Sequence, residues 1–201
     1  MANNAEPTVN TDHFVVTCKK AGKLVQSDSS DEPSLLDDLI LEGITDKLHI
    51  LTRLDRPVSG IVLLSKDKKF NQQYLRQQEA GNVTKEYLAI VEGQFLEDKC
   101  TLQHFHRQDS RNKKARIEAK KTKGYKSVYL ECSCLKRLDN YSILKLVLKK
   151  GKFHQIRAQL SFIGYPIKGD GAIQSLKSLF VRIGVRWISF SAYRKKQHRP
   201  P

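Results

Sequence analysis

Hydrophobic residues along this chain mostly come in short alternating runs, and only a few stretches switch to a helical period. Residues 13–18 (HFVVTC) read as a strand, followed by a turn at 19–23 (KKAGK) and an extended LVQSD. Ser34 is placed to cap a short helix in which Leu35, Leu36, Leu39 and Ile40 recur on one side, and Gly43 stops it. A second helix is expected over 68–79, with Phe70 and Tyr74 on one face and Gly81 just beyond its end. Between the two, residues 61–64 form a brief apolar strand behind the loop RLDRPVSG. Residues 87–91 (YLAIV) read as another strand, and 127–135 with 141–149 as a strand pair joined around 137–140. In the second of that pair Leu144, Leu146 and Leu148 share one face, while Lys145 and Lys149 share the other. Residues 154–163 return to a helical period through Ile156, Leu160 and Ile163, and Gly164 and Pro166 end it. Strands and hairpins interrupted by a few helices predict an α+β domain on a mixed, largely antiparallel sheet with flanking helices. The polar residues 1–12 are expected to be disordered, one folded domain to cover 13–193, and a basic tail to occupy 194–201.

Composition narrows the class. At 201 residues and 39% hydrophobic, the chain suits one domain with an ordinary core. No apolar run approaches the roughly 18–20 residues that cross a bilayer, and residues 1–12 contain no Lys or Arg to begin a targeting signal. A cytoplasmic protein without a membrane partner is the simplest reading. Thirty-six Lys and Arg against 21 Asp and Glu leave a net charge of +15, an excess that attracts polyanions. Residues 107–126 concentrate that charge in Arg107, Arg111, Lys113, Lys114, Arg116, Lys120, Lys121, Lys123 and Lys126, against Asp109 and Glu118. A solvated hairpin explains such a run as well as an RNA-gripping finger does. Cys18, Cys100, Cys132 and Cys134 contain no CxxC pair and are expected to be reduced and buried, with no metal site.

Three segments stand apart. In RLDRPVSG, Asp55 lies between Arg53 and Arg56, a setting that favours a carboxylate anion, although on spacing alone an Asp that merely closes a turn is the better reading. In KEYLAIVEG, Tyr87 has the ordinary look of a half-buried strand residue. In GKFHQIRAQLSFIGYPIKGD, His154 sits near a helix start and Arg157 falls beside the apolar stripe, as exposed residues often do.

Together, in this order, the three segments resemble the RluA-like RNA pseudouridine synthases, over about residues 13–170. RLD with the following SG looks like the family's catalytic loop, KEYLAIVEG like its KxYxAxVxG strand, and GKFHQIRAQLSFIGYPIKGD like its GRxHQIRxHLxxxGxPIxGD helix and turn. The opening FVVTCKKAGKLVQSD resembles a weakened form of the family's first strand and KPAG turn. The resemblance implies a central active-site cleft in which Asp55, Tyr87 and Arg157 are catalytic. Asp55 would attack the sugar C1′ or deprotonate C2′, Arg157 would pair with it, and Tyr87 would stack on the base and assist removal of the C5 proton. Arg53 would fill the gap left by the everted uridine. Arg56, His154, Gln155, Arg111, Lys113, Lys114, Arg116, Lys120 and Lys121 would join Arg53 in contacting RNA (rRNA or tRNA). It implies no cofactor and no metal, and monomer is the default.

Several positions depart from the family pattern. Thr52 stands where His is common, Lys20 where Pro is usual, Gln159 in place of the second His, and Pro57-Val58 in place of a polar-Thr pair. Beyond Asp170 the expected Tyr-Gly is missing, and the closing strand, expected near 183–190, is short. Two functional readings remain: an active uridine isomerase, and a non-catalytic RNA-binding or ribosome-assembly factor on the same fold.

Overall fold

A computed structural model describes residues 7–28, 32–45, 47–112 and 114–168 and the backbone of 179–182. The strands are β1 (Pro7–Asn10), β2 (Phe14–Lys19), β3 (His49–Ile50), β4 (Ser59–Ser65), β5 (Lys85–Glu92), β6 (Lys99–Asp109), β7 (Lys114–Glu118), β8 (Lys126–Arg137), β9 (Tyr141–Leu148) and β10 (Leu179–Arg182). The helices are α1 (Leu35–Leu41), α2 (Lys68–Glu79) and α3 (Gln155–Phe162). All the strands join one sheet in the order β1-β2-β4-β10-β5-β9-β8-β6-β7, with β3 pairing β4 to the side. The pairings are antiparallel except that of β10 with β4, so the sheet is mixed and largely antiparallel, and the fold is α+β.

The helix starts follow from side-chain caps. Ser34 and Asp37 form a reciprocal capping box at α1, and Asp67 Oδ1 accepts the Phe70 N–H at 2.7 Å to open α2. On β9 the alternation is complete: Ser142, Leu144, Leu146 and Leu148 are buried and their neighbours half-exposed. Its register sets Leu146 opposite Tyr87 on one side and Cys132 on the other. That face meets Ile156 and Leu160 of α3 to form one core. A second core gathers Val15, Leu35, Leu39, Leu54, Val58 and Val62 under α1. Tyr87 packs against both, at the seam between the two halves.

Three expectations are revised. Pro7–Asn10, expected to be disordered, pair antiparallel with β2. Cys18 is exposed rather than buried, because the alternation of β2 turns Val15, Thr17 and Lys19 inward and Cys18 outward. β6 is a full strand that the sequence reading missed; its inward positions run Cys100, Leu102, His104 and His106, and the two most buried of them are polar. The expected closing strand at 183–190, the basic tail and residues 1–6 lie outside the described residues. Among the described residues no helix is long and apolar enough to cross a membrane.

Candidate active site

The loop between β3 and β4 carries Asp55, and it is tied down on both flanks. Thr52 is buried; its hydroxyl accepts the Leu63 N–H at 2.8 Å while its own N–H donates to the Leu63 carbonyl at 3.2 Å. Val58 N–H donates back to the Asp55 carbonyl at 3.0 Å, closing the turn. From β2, the fully buried Lys19 donates to the carbonyls of Lys20 (3.1 Å), Lys23 (2.8 Å) and Arg56 (3.1 Å). Burial pushes its pKa down to about 8, against an upward pull from Asp55. Arg56 reciprocates, its guanidinium donating to the Gly22 carbonyl at 3.0 Å and to Glu32 at 2.6 Å. The turn at 19–23 and the Asp55 loop therefore lock together.

The opposite wall is the start of α3. His154 adopts a left-handed conformation (φ 48°, ψ 28°), which it alone among the described non-glycine residues does. Such a backbone costs on the order of 1–3 kcal/mol and is held only by its surroundings. Those surroundings are on the page: the His154 ring stacks on Phe153 at 3.7 Å, and His106 Nε2 bonds the Phe153 carbonyl at 2.9 Å. Gln155 accepts the Lys152 N–H at 3.0 Å and donates to the Tyr129 carbonyl at 3.0 Å and to Gln159 at 2.9 Å. Gln159 in turn donates to the Leu102 carbonyl at 3.3 Å and meets His104 Nδ1 at 3.1 Å. The result brings His154 Nε2 to 3.4 Å and Arg157 Nη1 to 3.6 Å from the same oxygen of Asp55.

Between the walls lies a pocket of about 250 Å³ lined by Arg53, Asp55, Lys85, Tyr87, His154 and Arg157, among others. Tyr87 forms its floor. Burial, reinforced by Tyr74 and Asp55, pushes its hydroxyl up to about 12, so it is a neutral phenol at physiological pH. Lys85, two residues earlier on the same face, is lowered from the ordinary lysine value by desolvation. Among the described residues no cluster of His, Cys, Asp and Glu could hold a metal ion.

The pocket thus unites Asp55, Tyr87 and Arg157 with Arg53 and His154. A family match runs through residues 13–162, and its description is RNA pseudouridylate synthase. The chain belongs to that family, in its RluA-like group. It is 31% identical to a ribosomal large subunit pseudouridine synthase D of Borreliella burgdorferi, over 60% of this chain and 36% of that one. It is 25% identical to a tRNA pseudouridine synthase C of Salmonella typhi, over 93% of this chain and 77% of that one. The solved structure of human RNA Pseudouridylate Synthase Domain Containing 1 superposes with a TM-score of 0.74 at 21% identity, covering 90% of this chain and 79% of that one. The chain spans about half the length of several curated relatives that it matches.

Within the pseudouridylate synthase family, the departures acquire structural reasons. Gln159 completes a buried amide–imidazole network with His104, and Thr52 substitutes a hydroxyl brace to β4. Gln155 lines the pocket but is 2% exposed, with its amide held in internal hydrogen bonds, and the Arg56 guanidinium donates to Gly22 and Glu32. Asp55 accordingly finds partners in the His154 imidazole and the Arg157 guanidinium, about a hundred residues along the chain, rather than in both flanking arginines. Arg111, Lys114, Lys120 and Lys121 are exposed on and after the β6–β7 hairpin, and Arg116 pairs with Asp109 at 3.1 Å. Lys113, Gly169 and Asp170 lie outside the described residues. Sequence reasoning passed over Lys19, His106 and Lys85; the two-residue period of β2, which carries Lys19 inward after Val15 and Thr17, was the available signal for the first.

Proposed function

We propose that the chain isomerises uridine to pseudouridine in rRNA or tRNA, with Asp55 as the catalytic carboxylate. The observation that carries this reading is that Asp55, Arg157 and Tyr87, from three separate segments, line one pocket of a family fold. The substrate classes are those in the names of the ribosomal large subunit and tRNA relatives. The reaction breaks the C1′–N1 bond, turns the uracil, forms a C1′–C5 bond, and moves the C5 proton off as N1 gains one; no atom is gained or lost. Asp55 either adds to C1′ or takes the C2′ proton, and both roles need the anion beside the sugar. Arg157 supplies positive charge at one carboxylate oxygen, which His154 also approaches, and this leaves the other oxygen for the sugar. The pocket volume suits one everted nucleotide, and eversion exposes a sugar that stacking would hide. Its raised pKa makes Tyr87 a platform and hydrogen-bond donor for the base rather than a phenolate. Arg53, at the pocket edge, is placed to occupy the space vacated in the RNA.

The test is carbodiimide mapping of pseudouridine in rRNA and tRNA from cells carrying the wild-type chain, Asp55→Ala, or a deletion. Specific sites should be present only with wild type. Identical maps in all three, with RNA still copurifying, would assign the chain to non-catalytic RNA binding instead.

A further inference from the structure

A second cavity, of about 720 Å³, lies over β6, β8 and β9 against the C-terminal end of α2. It occupies the face of the sheet opposite α3. Leu130 and Cys132 point into the α3 core, so the alternate residues Tyr129 and Glu131 of β8 point outward into this cavity. Its floor is set by register: Thr101 and Val147 both sit opposite Glu131. Lys126, Lys149, Lys150 and Lys152 contribute to the lining, against Glu79 and Glu131. Among the described residues none of these four lysines forms an ion pair. Tyr129 is 55% exposed, and Gln103 Nε2 donates to its hydroxyl at 3.3 Å, which fixes the ring along the groove.

The two cavities share one lining residue. Residues 149–152 carry the chain around the end of the sheet, from the outer face to the start of α3, and Lys152 lines both this cavity and the Asp55 pocket. We infer that the outer groove holds the single-stranded RNA flanking the everted uridine, with the backbone over Lys126, Lys149, Lys150 and Lys152 and a base stacked on Tyr129. This rests on the uridine-isomerase reading for what occupies the inner pocket. A lysine rim around an exposed, oriented tyrosine is the combination that grips unpaired nucleotides with little sequence preference. A duplex keeps its bases stacked on one another and offers no face to Tyr129, so the occupant is a loop or an end.

The experiment is fluorescence anisotropy with a 20-nucleotide oligouridine RNA across a salt series. It compares wild type with K126Q/K149Q/K150Q and with Tyr129→Leu, each checked for fold by circular dichroism. The triple variant should bind roughly tenfold or more weakly, and its log–log salt slope should shrink by about 2, since three charges each contribute about 0.7 on a single strand. Tyr129→Leu should lower affinity several-fold with the slope unchanged, because it removes stacking and no charge. Wild-type affinity and slope in both variants, or a wild-type chain that does not bind the oligonucleotide, would overturn the inference. Asp55→Ala separates the two readings. If pseudouridine forms in an Asp55-dependent way while the groove variants bind normally, the groove fails and the isomerase stands. If the groove variants lose affinity while no Asp55-dependent site exists, the groove stands and the isomerase fails.

Discussion

The loop that carries Asp55 leans on a buried cation, Lys19, whereas the start of α3 that carries His154 and Arg157 leans on an amide–imidazole network of Gln155, Gln159, His104 and His106. Each wall reaches its position through hydrogen bonds to backbone carbonyls, yet the two respond differently to change. One ammonium reaching three carbonyls concentrates the support in a single titratable atom. The amide–imidazole network spreads it over several side chains, each of which depends on its neighbours being present. Burial lowers the pKa of His104 below the ordinary imidazole value, which favours its uncharged form. The comparison teaches that the two sides of the pocket should be separable, one by pH and the other by mutation.

The largest effect is expected where the walls meet. Arg157→Ala should lower single-turnover rate by roughly 100-fold or more while RNA affinity changes only a few-fold, because the guanidinium acts on Asp55. Arg157→Lys should recover part of the rate, a point charge replacing a planar fork. A large fall in affinity with a preserved rate would uncouple the walls. Next, Gln159→Leu should destabilise the fold by about 1–3 kcal/mol in urea unfolding, since it strands the polar atoms of Gln155 and His104 in the core. Gln159→His should lose less. An unchanged midpoint for the leucine variant would dissolve the α3 network as a brace.

A smaller effect tests the other wall. The folded chain binds the Lys19 proton less tightly than the unfolded chain, its pKa being about 8 against 10.5. Stability from this group is therefore lowest below pH 8 and rises as pH climbs from about 8 toward 10.5. Wild type should gain thermal stability relative to Lys19→Met across that window, and a constant offset would remove Lys19 from the titration. His104 has the same sign in a lower window: its depressed pKa makes the fold lose stability as pH falls through the ordinary imidazole range. The smallest effect on the chemistry belongs to the hairpin. Replacing Lys114, Arg116, Lys120 and Lys121 with Gln should flatten the salt dependence of RNA binding by up to about 3 in slope, with the rate of the bound complex preserved. The part owed to Arg116 is the least, since Asp109 already faces it. An unchanged slope would take the hairpin off the RNA.

Much of this molecule could be read from its residues, for identifiable reasons. The helix starts at Ser34 and 68–79 were legible because a capping side chain and an apolar stripe are local features. Asp55, Tyr87 and Arg157 were legible through the order of three segments, which the pocket brings together. The supports behind them were not. Lys19, Gln155 and Gln159 are polar residues turned inward, and polarity alone assigns them to the surface. β6 was hidden in part for the same reason, its two most buried inward positions being His104 and His106. The partner of Arg56 was not legible because adjacency in sequence says little about direction: one residue from Asp55, its guanidinium pairs with Glu32.

β10 has a consequence for how the molecule is made. In the ladder, β4 and β5 meet only through this strand, parallel to the first and antiparallel to the second. Asp55 precedes β4 and Tyr87 lies on β5, so the seam between them is stitched by residues 179–182. A ribosome delivers those residues well after both neighbours have emerged, and the two halves must wait for them before sharing one hydrogen-bonded surface. Joining of the strand behind Asp55 to the strand of Tyr87 is therefore a later event than the making of either.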